Sequence, residues 1–273
     1  MHRILFHIGP VYVYAYGVML ALAFVAGAYL AVARAKREGL ASEKIIDLVF
    51  VVLIASLVGA RLMFVLLNSG YYLSHPVEIF KIWEGGLVFY GGFIGGFLMS
   101  VWFLKRNQLK IWKVADILAP SLALGASIGR IGCFLNGCCY GKISSAWGMR
   151  FPAQGEPPVY TRQLLDGLLS YGAQRSLPVL PTQLYEAFAY FVLFLFLLRL
   201  DRHKKSEGVL FWNFVFLYSI ARFIIEGFRY YETNFIVFGF LTVSQFISMV
   251  FALIAFVCLV RITTQSLAGA EKK

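Results

Sequence analysis

The sequence predicts an all-α fold, a polytopic membrane protein with seven transmembrane helices. Of its 273 residues, 60% are hydrophobic and only 14% are charged, whereas about a quarter of the residues in soluble domains are charged. The mean hydropathy is +0.74, and several apolar runs reach the roughly 20 residues that a bilayer span needs. A single transmembrane helical domain over residues 1–273 is therefore expected.

Seven apolar runs define the predicted spans in chain order. They cover residues 11–32, 45–67, 87–104, 114–139, 182–200, 209–228 and 240–260. A polar connection, residues 140–181, separates the fourth span from the fifth, and a short helix is expected in it near residues 162–171. Because connections of this length are usually functional or disordered, it is predicted to form a small extracytoplasmic head segment. The N-terminus lacks the pattern of a cleavable signal peptide, so the first span is expected to be retained.

The basic residues predict how the spans are oriented. The formal net charge is +11, and 25 residues are Lys or Arg. Fifteen of these follow spans 1, 3, 5 and 7, and seven lie in the longer connections on the other side. Short cytoplasmic connections are enriched in Lys and Arg, so the N-terminus is expected outside and the C-terminus in the cytoplasm. This distribution explains the positive charge, and no nucleic-acid partner is predicted.

Three arginines lie inside the predicted spans: Arg61, Arg130 and Arg222. At 1.5 Å per residue, each is on the order of 10 Å from the outer end of its helix. A single arginine of this kind is as readily explained by snorkelling or by a structural ion pair. Three at one depth favour an anion site, because the planar guanidinium gives bidentate hydrogen bonds to phosphate. At that depth the available anion is a phospholipid headgroup.

Span 6 adds two more charges to this level of the bilayer. Arg222, Glu226 and Arg229 follow i, i+4 and i+7 spacing and therefore share one helix face. Tyr16, at the outer end of span 1, is either a member of an interfacial aromatic belt or a site residue.

Three cysteines cluster in the sequence after Arg130: Cys133, Cys138 and Cys139. Their spacing matches no closed zinc motif. Cys133 and Cys138 are too far apart for a disulfide on a regular helix, although a glycine-rich helix end could bend enough. Small packing residues are the favoured interpretation. The four histidines show no HExxH spacing, and neither a metal nor a cofactor is predicted.

The stretch from Gly129 to Gly141, GRIGCFLNGCCYG, resembles the motif GRxGNFxNxExxG of the prolipoprotein diacylglyceryl transferase family. Six further stretches occur in the family's order: YGVM, GARL, WEGGLVFYGG, WGMRFP, PTQLYE and ARFIIEGFR. The resemblance covers nearly the whole chain, and the seven spans with the N-terminus outside match those derived above.

This resemblance implies a bacterial inner-membrane enzyme of lipoprotein biosynthesis, with its active site towards the outer leaflet. Such enzymes transfer the sn-1,2-diacylglyceryl group of phosphatidylglycerol to the lipobox cysteine thiol of a prelipoprotein signal peptide. The other product is glycerol 1-phosphate. Arg130 and Arg222 would bind the headgroup phosphate. The remaining positions that the family uses correspond to Tyr16, Asn136, Gly141, Tyr218, Glu226 and Arg229.

Three departures from the family pattern leave the general base open. Tyr90 stands where many members have a histidine, and Cys133 and Cys138 stand where they have asparagine and glutamate. Tyrosine ionises only in alkaline solution and is a poor base at neutral pH. Either Tyr90 or Glu226 takes the thiol proton, or the thiol arrives as thiolate near the arginines.

Three other functions stay open at this stage. One is an enzyme of the same fold that uses a different acceptor. Another is a non-enzymatic anion or lipid transporter that uses the arginines as its binding site; the inverted repeats common in transporters are not evident here. The third is thiol redox chemistry by Cys138 and Cys139.

Overall fold

In the computed structural model, residues 3–9, 11–204, 206–230, 236–237 and 240–270 are described. Helices form most of this part of the chain. They are α1 (Ala15–Arg37), α2 (Ser42–Leu67), α3 (Ser69–Ser74), α4 (Phe89–Arg106), α5 (Ile111–Asn136), α6 (Pro158–Leu165), α7 (Thr182–Asp201), α8 (Val209–Glu226) and α9 (Val243–Ala270). Two short antiparallel hairpins accompany them, β1 (Ile4–Ile8) with β2 (Val11–Tyr14) and β3 (Ile236–Val237) with β4 (Leu241–Thr242).

Six of the helices among the described residues are long and apolar enough to cross a membrane. They are α1, α2, α5, α7, α8 and the stretch Val243–Thr264 of α9. The prediction of a helical, polytopic membrane protein is confirmed. Helix α4 corresponds to the third predicted span, but it has only 18 residues, includes four glycines and ends at Lys105 and Arg106. It is therefore not among the helices that are long and apolar enough to cross a membrane by composition alone.

Two local predictions differ from the structure. Residues 11–14 form strand β2 and not the first turn of a helix, because their Val-Tyr-Val-Tyr pattern has the period of two that characterises a strand. The short helix of the polar connection is α6, which begins at Pro158 rather than near residue 162. Proline suits the first turn of a helix, where its missing N–H is not needed.

The described chain divides into two compact units, residues 1–29 with 115–273, and residues 30–114. In the second unit, α2 and α4 approach closely through glycine. A Cβ atom on Gly95 would lie 2.6 Å from the carbonyl oxygen of Ala55, and one on Gly92 would lie 3.1 Å from that of Ser56. Small residues let transmembrane backbones pack closely, which explains the paired glycines of α4.

Arg61 also belongs to this second unit, where it holds a loop. Its Nε donates to the carbonyl oxygen of Ile79 at 2.8 Å and its Nη2 to that of Glu78 at 2.6 Å. Its Nη1 donates to the carbonyl oxygens of Gly85 and Gly86. These bonds support the structural alternative for Arg61, and its membership of a headgroup site stays a prediction.

In the first unit, α5, α7 and α8 share an apolar core. It is formed by Ala119, Ala123, Leu193, Leu197 and Leu210. The polar connection has a small core of its own, in which Phe151, Val159 and Val179 are buried against Phe134 and Tyr140. The first core packs α5, α7 and α8 together, and the second packs against the C-terminal end of α5 through Phe134.

Asp116 caps the N-terminus of α8 from a neighbouring helix. Its Oδ2 accepts a hydrogen bond from the backbone N–H of Gly208 at 2.8 Å, and its Oδ1 accepts one from that of Phe211 at 2.9 Å. The side chain is completely buried. A carboxylate at a helix N-terminus satisfies donors that have no intrahelical acceptor and complements the helix dipole. Asp116 thus joins α5 to α8.

We expect Asp116→Asn to destabilise the protein by about 1–3 kcal/mol, because the amide keeps the shape but presents a donor to a backbone N–H. The measurement is thermal unfolding in detergent. Asp47→Asn, which changes an exposed carboxylate on α2, is the matched control and should leave the midpoint unchanged. Equal midpoints for the wild type and Asp116→Asn would contradict the capping role.

Candidate functional site

The candidate site is a cluster of charged side chains where α5 and α8 end and α7 begins. Arg130 lies on α5, Glu186 on α7, and Arg222 and Glu226 on α8, while Arg229 follows α8 directly. Because α7 runs opposite to its two neighbours, its first turns meet their last turns. Residues far apart in the sequence are therefore brought together at one level.

Glu186 is the centre of this cluster. Its Oε2 forms an ion pair with Arg130 Nε at 2.8 Å, and its Oε1 pairs with Arg222 Nη1. The hydroxyl of Tyr190, one turn further along α7, lies 3.5 Å from Oε1. The carboxylate is fully buried. One carboxylate therefore holds two guanidinium groups from two different helices.

Glu226 forms a second bridge, on α8 itself. Its Oε2 pairs with Arg222 Nη2 at 2.8 Å and with Arg229 Nη1 at 3.5 Å. Its Oε1 accepts from the hydroxyl of Thr242 at 3.3 Å. The predicted shared face is confirmed for Arg222 and Glu226, whereas Arg229 lies beyond the end of α8 and its side chain reaches the same carboxylate. Buried charges persist only when they are paired and hydrogen-bonded, and both carboxylates meet that condition.

The cluster is cationic on its accessible side. Among the described residues it combines three guanidinium groups with two carboxylates, which leaves one net positive charge. The carboxylate side chains have 0% exposure, whereas those of Arg130, Arg222 and Arg229 have 20%, 14% and 11%. An approaching molecule therefore meets guanidinium groups, whose geometry suits phosphate or carboxylate oxygens.

Tyr16 lies beside α5, near the cluster. A Cβ atom on Gly132 would lie 3.4 Å from Tyr16 Cδ2 and 3.0 Å from Met19 Cβ, so α1 passes α5 closely at this glycine. Tyr16 is also near enough to Arg130 and to the three clustered cysteines to interact with them electrostatically. Its role at the site stays a prediction, because an interfacial tyrosine could occupy the same position.

Asn136 and Gly141 position backbone around the site. The Asn136 Oδ1 accepts from Arg3 Nε at 3.1 Å, which links the end of α5 to the N-terminal hairpin. Gly141 pairs with Arg229 as an isolated antiparallel bridge. A Cβ atom on Gly141 would lie 2.6 Å from the carbonyl oxygen of Phe228 and 2.7 Å from Thr182 Cγ2. Only glycine allows this approach, which fixes the backbone that carries Arg229.

Tyr218 is connected to the cluster through Tyr190. Their rings stack with centroids 4.7 Å apart and an interplanar angle of 19°, and Tyr190 reaches Glu186. Tyr218 thus supports the residue that hydrogen-bonds the central carboxylate.

Tyr90 belongs to the second unit, in the first turn of α4. Its side chain is 57% exposed, and its ring lies edge-on to that of Phe89 with centroids 5.9 Å apart. Its role as a base stays a prediction.

The three clustered cysteines form a second group of reactive side chains. Their Sγ atoms all lie within 4.8 Å of one another, which the spacing argument did not anticipate. Arg130 Nη1 is 4.0 Å from Cys133 Sγ. Arg229 and Arg130 are near enough to Cys139 to act on it electrostatically.

Glu186 is the site residue that the sequence argument missed. It appeared only as the last residue of the PTQLYE stretch. The signal that could have identified it is the isolated acid inside an apolar span, because an intramembrane carboxylate needs a cationic partner. Three arginines at the same depth were available to supply one.

The chain matches the family model described as prolipoprotein diacylglyceryl transferase over residues 3–261. The phosphatidylglycerol–prolipoprotein diacylglyceryl transferase of Geobacter sulfurreducens is 36% identical over 219 residues, 78% of this chain and 76% of that protein. The protein of that name from Bacillus licheniformis is 34% identical over 258 residues, with 93% and 90% covered. The one from Bacillus velezensis is 33% identical over 262 residues, with 95% and 92% covered. The resemblance inferred from the motifs is confirmed.

We expect Glu186→Gln to be strongly destabilising, because the amide leaves Arg130 and Arg222 without their shared counter-ion. Removing one partner of a buried ion pair costs about 3–5 kcal/mol. Thermal unfolding in detergent measures the loss. The exposed residue Glu43 on α2 provides the control Glu43→Gln, which should unfold like the wild type. An unchanged midpoint for Glu186→Gln would show that the arginines do not depend on this carboxylate.

Proposed function

This chain belongs to the prolipoprotein diacylglyceryl transferase family, and we propose that it transfers the diacylglyceryl group of phosphatidylglycerol to the lipobox cysteine of prelipoproteins. The relatives described above are named for this activity. The observation that supports the assignment is the buried pair Glu186 and Glu226 holding three guanidinium groups at the ends of membrane helices. It is a site for an anion at membrane depth.

The charge of the cluster matches the proposed lipid. A phosphodiester headgroup carries one negative charge, and the cluster has one positive charge in excess. Arg130 and Arg222 come from different helices and are held by the same carboxylate. They are thus pre-organised to hold two phosphate oxygens between them, and binding requires no further ordering of these side chains.

The proposed reaction moves negative charge onto the phosphate. The lipobox thiolate sulfur attacks the glyceryl carbon, the new S–C bond forms, and the C–O bond to phosphate breaks with its electron pair on oxygen. The diester monoanion becomes glycerol 1-phosphate, a monoester with one more negative charge. Fixed guanidinium groups stabilise charge where it develops in the transition state. The thiol proton passes to a base, for which Glu226 and Tyr90 are the candidates.

The topology proposed for this reaction has seven spans, with α4 as the third and the N-terminus outside. Helices α1, α4 and α7 end in basic residues, whereas α2, α5 and α8 have none in their last turns. The positive-inside rule then assigns the ends of α5 and α8 to the outer side. The charged cluster lies in the outer leaflet of the bacterial cytoplasmic membrane, and residues 140–181 form an extracytoplasmic head segment within a single domain.

We expect Arg130→Ala and Arg222→Ala each to reduce kcat/KM by at least about 100-fold, the usual effect of removing a donor that stabilises transition-state charge. The assay follows diacylglyceryl transfer to a lipobox peptide in detergent or proteoliposomes. Arg199→Ala, at the opposite end of α7, should keep wild-type activity.

Arg130→Lys separates binding from folding, because lysine keeps the charge but loses the planar fork. It should fold like the wild type and retain intermediate activity. Full activity in a folded Arg130→Ala or Arg222→Ala variant would refute the phosphate clamp.

The reaction itself is tested with purified protein, phosphatidylglycerol and a lipobox peptide. We expect thioether formation and glycerol phosphate release in equal amounts. Release without peptide modification would indicate a different acceptor. Neither product, under conditions in which a relative is active, would favour an anion- or lipid-transporting protein. The pH–rate profiles of Tyr90→Phe and Glu226→Gln then identify the base, since the profile of the correct variant loses its rising limb.

A further inference from the structure

We propose that Cys133, Cys138 and Cys139 form a binding site for one soft metal ion. Their three Sγ atoms lie within 4.8 Å of one another, and the three residues are half-buried. Thiolates are the ligands that select soft ions such as Cu⁺ and Zn²⁺ in proteins. The proposal depends only on the geometry of these thiols and not on the transferase activity.

The end of α5 brings the first two thiols together. The N–H of Gly137 donates to the carbonyl oxygen of Phe134 at 3.1 Å, and that of Cys138 donates to the carbonyl oxygen of Cys133 at 3.2 Å. This is the hydrogen-bond pair of a Schellman motif, in which the side chains of the two residues at the outer bond contact each other. In most proteins this contact is apolar, but here both residues are cysteines.

Gly137 makes this turn possible. Its φ is +74°, in the left-handed region that favours glycine. A Cβ atom there would lie 2.7 Å from Pro157 Cβ and 3.3 Å from Phe151 Cδ1. The turn that pairs Cys133 with Cys138 is therefore fixed both by backbone conformation and by packing.

The backbone that carries the third thiol is held by hydrogen bonds from α7. The carbonyl oxygen of Cys138 accepts from Gln183 Nε2 at 2.7 Å, and that of Cys139 accepts from Thr182 Oγ1 at 2.9 Å. Cys139 itself has a φ of +60°, which non-glycine residues rarely adopt without support. Because the backbone on both sides of the cluster is fixed, an ion would find the three ligands already in place.

The size and charge of the cluster suit such an ion. Sulfurs that each lie about 2.3 Å from a central ion in a trigonal arrangement are about 4 Å apart, which is within the spacing observed here. Three thiolates around a divalent ion carry one net negative charge. Arg130, 4.0 Å from Cys133 Sγ, and Arg229, which acts electrostatically on Cys139, provide positive charge to offset it.

The test is a Cd²⁺ titration of the full-length protein in detergent, after reduction and removal of bound metals by a chelator. Cadmium–thiolate bonds produce a charge-transfer absorption in the ultraviolet. We expect this band to saturate at one equivalent of Cd²⁺, with one ion per chain by elemental analysis. Cd²⁺ should also raise the thermal unfolding midpoint, because an ion that binds only the folded state stabilises it.

Serine variants define the ligand set. Cys133→Ser, Cys138→Ser and Cys139→Ser should each weaken Cd²⁺ binding by more than about tenfold, the lower limit for loss of even an outer-shell partner. Cys258→Ser, which changes the fourth cysteine on α9, should bind Cd²⁺ like the wild type. Serine is nearly isosteric with cysteine. The thermal unfolding midpoints of the four variants without metal show whether each variant folds.

Three results would overturn the proposal. The first is the absence of a charge-transfer band in the reduced wild type. The second is unchanged binding in a folded variant of any of the three cysteines. The third is a Cys133–Cys138 disulfide in protein isolated without reductant, detected by peptide mapping, which would assign the pair to redox chemistry.

Discussion

The need to neutralise charge inside a bilayer organises this structure around Glu186. A carboxylate that is completely buried cannot stay charged at that depth without cationic partners, and Arg130 and Arg222 supply them from the neighbouring helices. Glu186 stabilises the two arginines in turn, since a buried guanidinium group without a counter-ion is also unfavourable there. Helices α5, α7 and α8 must therefore pack in one register for the cluster to exist, and the same register places guanidinium groups where an anion can reach them.

The two ends of α8 show the same principle with different partners. At its start, the buried Asp116 satisfies the free N–H groups of Gly208 and Phe211. At its end, Glu226 lies between Arg222 and Arg229. Both ends are tied by acids, one to α5 and the other to the segment after the helix. An apolar helix in lipid has little preference for any rotation about its own axis, because lipid solvates all of its faces equally well. The polar contacts at the two ends of α8 set its orientation, and the middle of the helix packs through apolar side chains.

The sequence predicted the membrane helices and the arginines well, because hydropathy and buried charge depend on composition over a short window. Six predicted spans match helices that can cross a membrane, and the pairing of Arg222 with Glu226 agrees with their i, i+4 spacing on α8. Which residues pair between helices could not be predicted from a short window. Glu186 is 56 residues from Arg130 in the sequence, and the residues around Glu186 do not indicate which arginine it pairs with. Arg61 had the same signature as the other arginines, yet backbone carbonyls of its own unit occupy its guanidinium nitrogens. The N-terminal hairpin was missed because its alternating residues continue into the first apolar run.

The turn that ends α5 connects the two clusters, and it carries two of the departures from the family motif. In the motif that the sequence resembles, a glutamate stands at the position of Cys138. Its loss removes one negative charge from a corner that Arg130 and Arg229 already make positive. A divalent ion held by three thiolates would carry one net negative charge, the same as a carboxylate at that position. Gly137 fixes the backbone of this corner, and in this chain the thiol cluster and the pairing of Arg130 with Glu186 exist side by side.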